Sequence, residues 1–202
     1  KYSLFQNNAI HDNMCGTTAP VVLNASGEVL LDHNNVVDNR SVTGTNETAI
    51  DARNGQDTAG TGHITVSNNI VSGNIDTSSC AILTTEGLNV DINYNDIYDN
   101  GPSDEECDYS TEDEQHTANQ SVDPEFMGDT LYDPWENLCD TNAAFLTDTS
   151  PLEDTGSYDT SVADYDDNDE QTTLGATRGP NGDHMVETLS RFETEVCSEL
   201  SD

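Results

Sequence analysis

The densest set of oxygen ligands in this chain is the run Asp164-Tyr165-Asp166-Asp167-Asn168-Asp169-Glu170, with Asp154 and Asp159 close by in sequence. Calcium takes about six to eight oxygen ligands, and alternate carboxylates in one turn supply several of them. Asp164, Asp166, Asn168 and Asp169 are therefore the expected metal ligands, and calcium is the expected cofactor. The run is not an EF-hand, because no glycine stands at the sharp-turn position and no glutamate closes the loop. A solvated acidic loop is the competing expectation. Other reactive residue types are dispersed: His11, His33 and His63 show no metal-ligand spacing and read as surface residues. Cys15, Cys80, Cys107, Cys139 and Cys197 form no C-x-x-C pair, which argues against a zinc ribbon or a thioredoxin-type centre.

Charge restricts the partners. The chain has 40 Asp and Glu against 5 Lys and Arg, a formal net charge of −35 over 202 residues. Nucleic acid and anionic membrane surfaces carry the same sign and are excluded. Apolar stretches such as Val21-Val22-Leu23 span only a few residues, so no membrane insertion is expected. Hydrophobic residues make up 33 %, close to the share in disordered chains, so pattern rather than composition has to supply a core. The sequence opens on Lys1 without a charged segment followed by an apolar one. This is expected of a chain whose leader has been removed or of part of a longer chain.

The elements that would position any site are set by an internal repeat. Four segments align without gaps, Phe5 to Asn13, Leu31 to Asn39, Val66 to Asn74 and Ile92 to Asn100, at offsets of 26, 35 and 26 residues. Apolar residues fill the columns 5/31/66/92 and 10/36/71/97, and Asn fills both 8/34/69/95 and 13/39/74/100. Val29, Ile64 and Val90 extend the alternation upstream. Period two with β-branched residues gives a strand, an Asn corner and a second short strand in each unit, and excludes a helix. Identical columns require parallel, in-register stacking, with apolar side chains inside and Asn amides in ladders at the corners. A third similarity, aligned on Ala19, Ala49 and Ala81, supplies a third strand per unit. The Gly-rich stretch from Arg53 to Gly62 accounts for the longer 35-residue offset as a protruding loop. The expected fold is all-β, a right-handed parallel β-helix, with Phe5, Ile10, Val29, Leu31, Val36, Ile64, Val66, Val71, Val90, Ile92 and Ile97 facing inward.

Over residues 1–100 this pattern resembles the pectate-lyase-like superfamily. Further on, Asp123-Pro124-Glu125-Phe126, the segment from Ser150-Pro151 to Gly156, and Gly175-Ala176-Thr177-Arg178-Gly179-Pro180 are similar to the C-terminal end of secreted bacterial "choice-of-anchor" β-helix proteins. The coils are expected over 1–100 and an acidic loop over 101–122; a disulfide between Cys107 and Cys139 would clamp the base of that loop, with the pairing of the five cysteines left open. A loop-rich closing segment follows over 123–183, covering the open end of the core with Phe126, Trp135, Phe145 and Leu152. Residues 184–202 have apolar positions at Val186, Leu189, Phe192 and Val196, as in a short amphipathic helix.

The leading functional expectation is a secreted or cell-surface structural or adhesive protein, calcium-stabilised and self-assembling head-to-tail into an extracellular filament. Its first coil begins within five residues of Lys1, so the partner is another copy or an upstream β-helix portion. The resemblance also implies an alternative, a carbohydrate-active enzyme in which a lyase would use an arginine base. Arg53, with Asp51 and Asp57 nearby, is the arrangement that fits. A carbohydrate-binding spike module with Tyr94 and Tyr98 as stacking aromatics is the third class, and polysaccharide is the ligand in both alternatives.

Overall fold

Parallel pairing between equivalent segments of the repeat organises the computed structural model, which describes residues 2–11, 13–16, 19–23, 27–41, 48–52, 62–74, 81–84, 89–101, 115–126, 146–147, 149–152, 155–156 and 175. In chain order the strands are β1 (Tyr2–Gln6), β2 (Ala9–His11), β3 (Met14–Cys15), β4 (Val21–Val22), β5 (Glu28–Asp32), β6 (Asn35–Val37), β7 (Arg40–Ser41), β8 (Ile50–Ala52), β9 (His63–Ser67), β10 (Ile70–Ser72), β11 (Ile82–Thr84), β12 (Asn89–Asn93), β13 (Asp96–Tyr98) and β14 (Gln115–Thr117). The first sheet runs β1-β5-β9-β12-β14, the second β2-β6-β10-β13 and the third β4-β8-β11, while β3 pairs with β7. Every pairing between these strands is parallel. Among the described residues all regular structure is strand.

The register reproduces the sequence columns. Phe5, Leu31, Val66 and Ile92 are successive partners in the first sheet, and Ile10, Val36, Val71 and Ile97 in the second. All of these except Phe5 join Val29, Ile64 and Val90 and the third-sheet residues Val21, Ile50 and Ile82 in one apolar core. Phe5 departs from the expectation: it is 48 % exposed. An inward residue in a middle layer is covered from both sides, whereas Phe5 has only Leu31 beside it in the sheet. The third sheet departs by one residue, since Val21 rather than Pro20 pairs with Ile50. Proline has no N–H to give the ladder, so the strand begins after it. The slip exchanges the two faces of the strand, leaving Val21 buried and Val22 exposed.

Where the residue before the ladder asparagine is described, it is left-handed. Asn7, His33, Asn68, Tyr94 and Ala118 have φ between 50° and 56° ahead of one ladder, and Asp38, Gly73 and Asp99 have φ between 51° and 64° ahead of the other. Asn8, Asn34, Asn69 and Asn95 each donate Nδ2 to the Oδ1 of the next asparagine, at 2.8, 2.9, 2.9 and 3.1 Å, so that the ladder runs from Asn8 to Asn119. Asn13, Asn39 and Asn74 do the same toward Asn100, at 2.8, 2.9 and 2.7 Å. The backbone N–H of each donor asparagine reaches that same Oδ1. In Asn34, Asn69, Asn74, Asn95 and Asn100, Nδ2 also meets the carbonyl two residues back and a carbonyl of the preceding layer, as Asn69 does with Ser67 and Leu31.

The stack has a fifth layer that the repeat search did not reach. Strand β14 pairs with β12, Asn119 extends the ladder, and Asp96 bridges to Gln120. Beyond it the described part of the closing segment lies on the outer face of the second sheet. Ile70, in register with Asn35 and Asp96 on the outward face of the second sheet, packs with Val122, Phe126, Leu146 and Leu152 in a second apolar cluster. Phe126 and Leu146 form an antiparallel bridge. Gly175 donates its N–H to the Asn68 carbonyl at 3.1 Å, and with φ +93° a Cβ there would stand 2.5 Å from Asn35 Oδ1 and 2.8 Å from Ile70 Cδ1. Trp135, Phe145, Cys107, Cys139 and residues 184–202 lie outside the described residues.

Asn69 sits mid-ladder with its amide bonded above and below, whereas Asn8 is exposed at the first layer. Asn69→Ala should therefore cost about 3 kcal/mol or more, because it strands buried partners in two neighbouring layers, and Asn8→Ala at most about 1 kcal/mol. Urea denaturation of both variants checks the difference; equal losses would contradict the ladder.

Candidate functional site

Polar residues beside the first ladder converge on one carboxylate. The outward column of the first sheet at the corner holds Gln6, Asp32, Ser67 and Asn93 in register. Asp32 is buried and accepts from Gln6 Nε2 at 2.9 Å, Ser67 Oγ at 3.0 Å and Asn68 Nδ2 at 2.8 Å. His33 Nδ1 stands 2.9 Å from Asp32 Oδ2, within ion-pair distance but off the line along which the ring N–H donates. Both ring nitrogens of His33 are buried without a hydrogen bond. Burial pushes the Asp32 carboxyl up, but His33, Asn68 and Gln6 together outweigh burial and hold it below the usual value. That sign makes its contribution to stability full above the unfolded value and lost as pH falls through the folded one. An Asp–His pair has the components of a general base, but here the carboxylate is saturated by side chains of three layers and the ring is 1 % exposed. The corner serves as a structural hub.

A second buried carboxylate lies where the closing segment meets the second sheet. Asp96 follows the ladder residue Asn95 and pairs in register with Ile70. It is buried, its Oδ1 accepts the Val122 N–H at 3.0 Å, and its Oδ2 has no partner. Burial pushes its carboxyl up to about 7; the Val122 N–H opposes this, and the charge of Asp123 adds to it. Gln120 Nε2 donates to Thr155 Oγ1 at 2.9 Å nearby. On the outer face of the first sheet, His63 Nε2 and Asp91 Oδ2 stand 2.9 Å apart, both partly exposed.

The sequence matches no protein-family model, and no curated protein or solved structure shows significant similarity to it. Any functional assignment therefore rests on the geometry itself.

The sequence-derived candidates fare unevenly. Asp164, Asp166, Asn168 and Asp169 lie outside the described residues, as do Arg53 and Asp57, while Asp51 is buried in β8. No group of three or more His, Cys, Asp or Glu among the described residues is placed to hold a metal ion, and no helix among them is long and apolar enough to cross a membrane. Tyr94 and Tyr98 are half-buried at the fourth layer. His33, expected at the surface, is buried: its left-handed backbone turns it into the corner beside Asp32. Sequence reasoning missed Asp32, in an outward polar column of the first sheet, and Asp96, on the outward face of the second, since both resemble solvent-facing positions. The available signal was positional, since both flank a corner asparagine.

Asp96 makes stability fall with rising pH. The fold holds a proton there between the unfolded value of 3.8 and about 7, so its contribution is full below the lower value and lost as pH passes the upper one. Asp96→Asn should raise stability at pH 8 by a few kcal/mol and leave it nearly unchanged at pH 4. Melting curves of both proteins across that range provide the check, and a gain of equal size at both ends would contradict the assignment.

Proposed function

We propose that the chain is a right-handed parallel β-helix with a structural or adhesive role at the cell surface or outside the cell, in which the stacked coils are themselves the working part. The pair of amide ladders carries this reading. The buried side chains of Asn34, Asn39, Asn69, Asn74, Asn95 and Asn100 direct their hydrogen bonds to adjacent layers. Side chains committed in this way hold a rigid rod and do not converge on a cleft. The net charge of −35 keeps such rods apart at low ionic strength, and divalent cations outside the cell reduce that repulsion. Head-to-tail contact between copies, or an upstream β-helix portion, would complete the first layer.

Calcium belongs to the same proposal, with Asp164, Asp166, Asn168 and Asp169 as its oxygen donors. Binding to the folded chain alone stabilises by mass action. The melting temperature should rise in millimolar calcium relative to excess chelator, while magnesium should substitute poorly because it keeps its own water shell. Equal melting temperatures in calcium and chelator would remove the ion from the account.

The structural role is separated from a carbohydrate-active enzyme by turnover. Uronate and neutral polysaccharides incubated with the chain should give neither unsaturated products nor new reducing ends. Turnover abolished by Arg53→Ala would replace the structural role with a lyase.

A further inference from the structure

The described part of the closing segment is joined to the stack by hydrogen bonds from the Val122 N–H to Asp96 Oδ1 at 3.0 Å, from Gln120 Nε2 to Thr155 Oγ1 at 2.9 Å and from the Gly175 N–H to the Asn68 carbonyl at 3.1 Å. Ile70 supplies the apolar seat under Val122, Phe126, Leu146 and Leu152. The segment is also tied to itself: Phe126 bridges Leu146, Thr147 donates its N–H to the Glu125 carbonyl at 2.9 Å, and Ser150 Oγ donates to the Pro124 carbonyl at 2.7 Å. It can therefore lift as one piece. The sheet beneath has no such freedom, because its layers are joined by both amide ladders and by the apolar core.

Between the two lies a carboxyl group with no place for a charge. Asp96 is fully buried, and its Oδ2 has no partner. Its backbone is fixed in the stack, with its N–H on the Asn69 carbonyl at 2.9 Å, Ile70 in register on one side and the bridge to Gln120 on the other. Tyr98 stands two residues along the same strand, and Asp123 and Glu125 are exposed on the segment. Of these, the charge that acts on Asp96 is that of Asp123, which has the same sign, and no cation among the described residues offsets it. Burial keeps the carboxyl protonated up to about 7, against an ordinary value of 3.8, so a proton binds the seated arrangement more tightly than the open one. An ionised Asp96 in a closed seam would be a buried, nearly unpaired charge, and water has to reach it. Entry from the stack would part the ladders, whereas entry from the segment breaks only the contacts of the seam.

We propose that the closing segment is a proton-controlled latch: with Asp96 protonated it stays seated on the second sheet, and ionisation of Asp96 releases it while the stack stays intact, baring Ile70 and the apolar side chains over it. The latch concerns the seam alone and holds whatever role the stack has. Its sign follows from the proton. The seat is tightest below 3.8, loosens as pH rises and levels off above about 7. The interval between those values is about three pH units at a factor of ten each, which limits the change in the opening equilibrium to about a thousandfold.

Amide hydrogen exchange of the full chain from pH 4 to pH 9, with each rate divided by that of the free chain at the same pH, reads the opening. In the parent, protection of the Val122 and Gly175 amides should fall about tenfold or more between pH 4 and pH 8 relative to the amides of β9 and β10. In Asp96→Asn, which cannot ionise, that relative fall should vanish. The 13C shift of the Asp96 carboxyl in the parent gives a check that needs no substitution, since the fall should level off at the pH where this group titrates. The proposal is overturned by any of four results: no relative fall in the parent, the same fall in Asp96→Asn, a fall that continues past the Asp96 titration, or loss of protection in β9 and β10 by the same factor as at the seam.

Discussion

The whole arrangement depends on a buried side-chain amide that must be matched by the layers on both sides. A corner asparagine is held by its own carbonyl two residues back, by a carbonyl of the layer before and by the Oδ1 of the layer after. Its own Oδ1 receives the amide and the N–H of the layer before. Aspartate lacks the donors, serine lacks the reach, and glutamine carries an extra methylene that would displace both ends of the bond. An unmatched amide would leave buried polar atoms without partners, and this is costlier than the bond itself is favourable. Asparagine at one layer therefore requires asparagine at the next, and the two ladders fix register more sharply than apolar columns alone could.

That constraint leaves the connections free. The corners recur at offsets of 26, 35, 26 and 24 residues in the first ladder, so loop length varies while corner geometry does not. Closing a longer loop costs little extra entropy, and the 35-residue layer is accommodated without a break in either ladder. The outer faces are free as well. The second sheet uses its outer face to seat the closing segment, with Ile70 as the apolar anchor and Gly175 admitted because no Cβ obstructs Asn35 and Ile70. Asp96 lies at this seam, so its protonation is tied to the join between stack and segment.

The sequence made the apolar columns and corner asparagines legible because stacking writes the same residue at the same point of every layer. What it obscured had physical causes. Strand β14 places His116 at the register position of Ile92, so the apolar signature fails there although Asn119 continues the ladder. The third sheet was misaligned by one residue because alanine similarity at Ala19 outweighed the missing N–H of Pro20. Phe5 fits its column yet is half exposed, an effect of position at the end of the stack that no column can reveal. Asp32 and His33 were hidden by their polarity, since burial of an outward column depends on what lies over it. The acidic run at 164–170, the plainest chemical feature of the sequence, lies outside the described residues, and its calcium role stands on residue type and spacing.

The central claim is that the corner amides are locked between layers, and side-chain hydrogen exchange tests it most directly. Nuclear magnetic resonance can follow the NH2 groups of Asn34, Asn39, Asn69 and Asn74 in deuterated water beside the backbone amides of β9 and β10. These side-chain protons should exchange as slowly as the backbone amides of those strands, because releasing them requires the layers to part. Exchange of the same groups at the rate of free asparagine, while β9 and β10 stay protected, would contradict the ladder and the fold built on it.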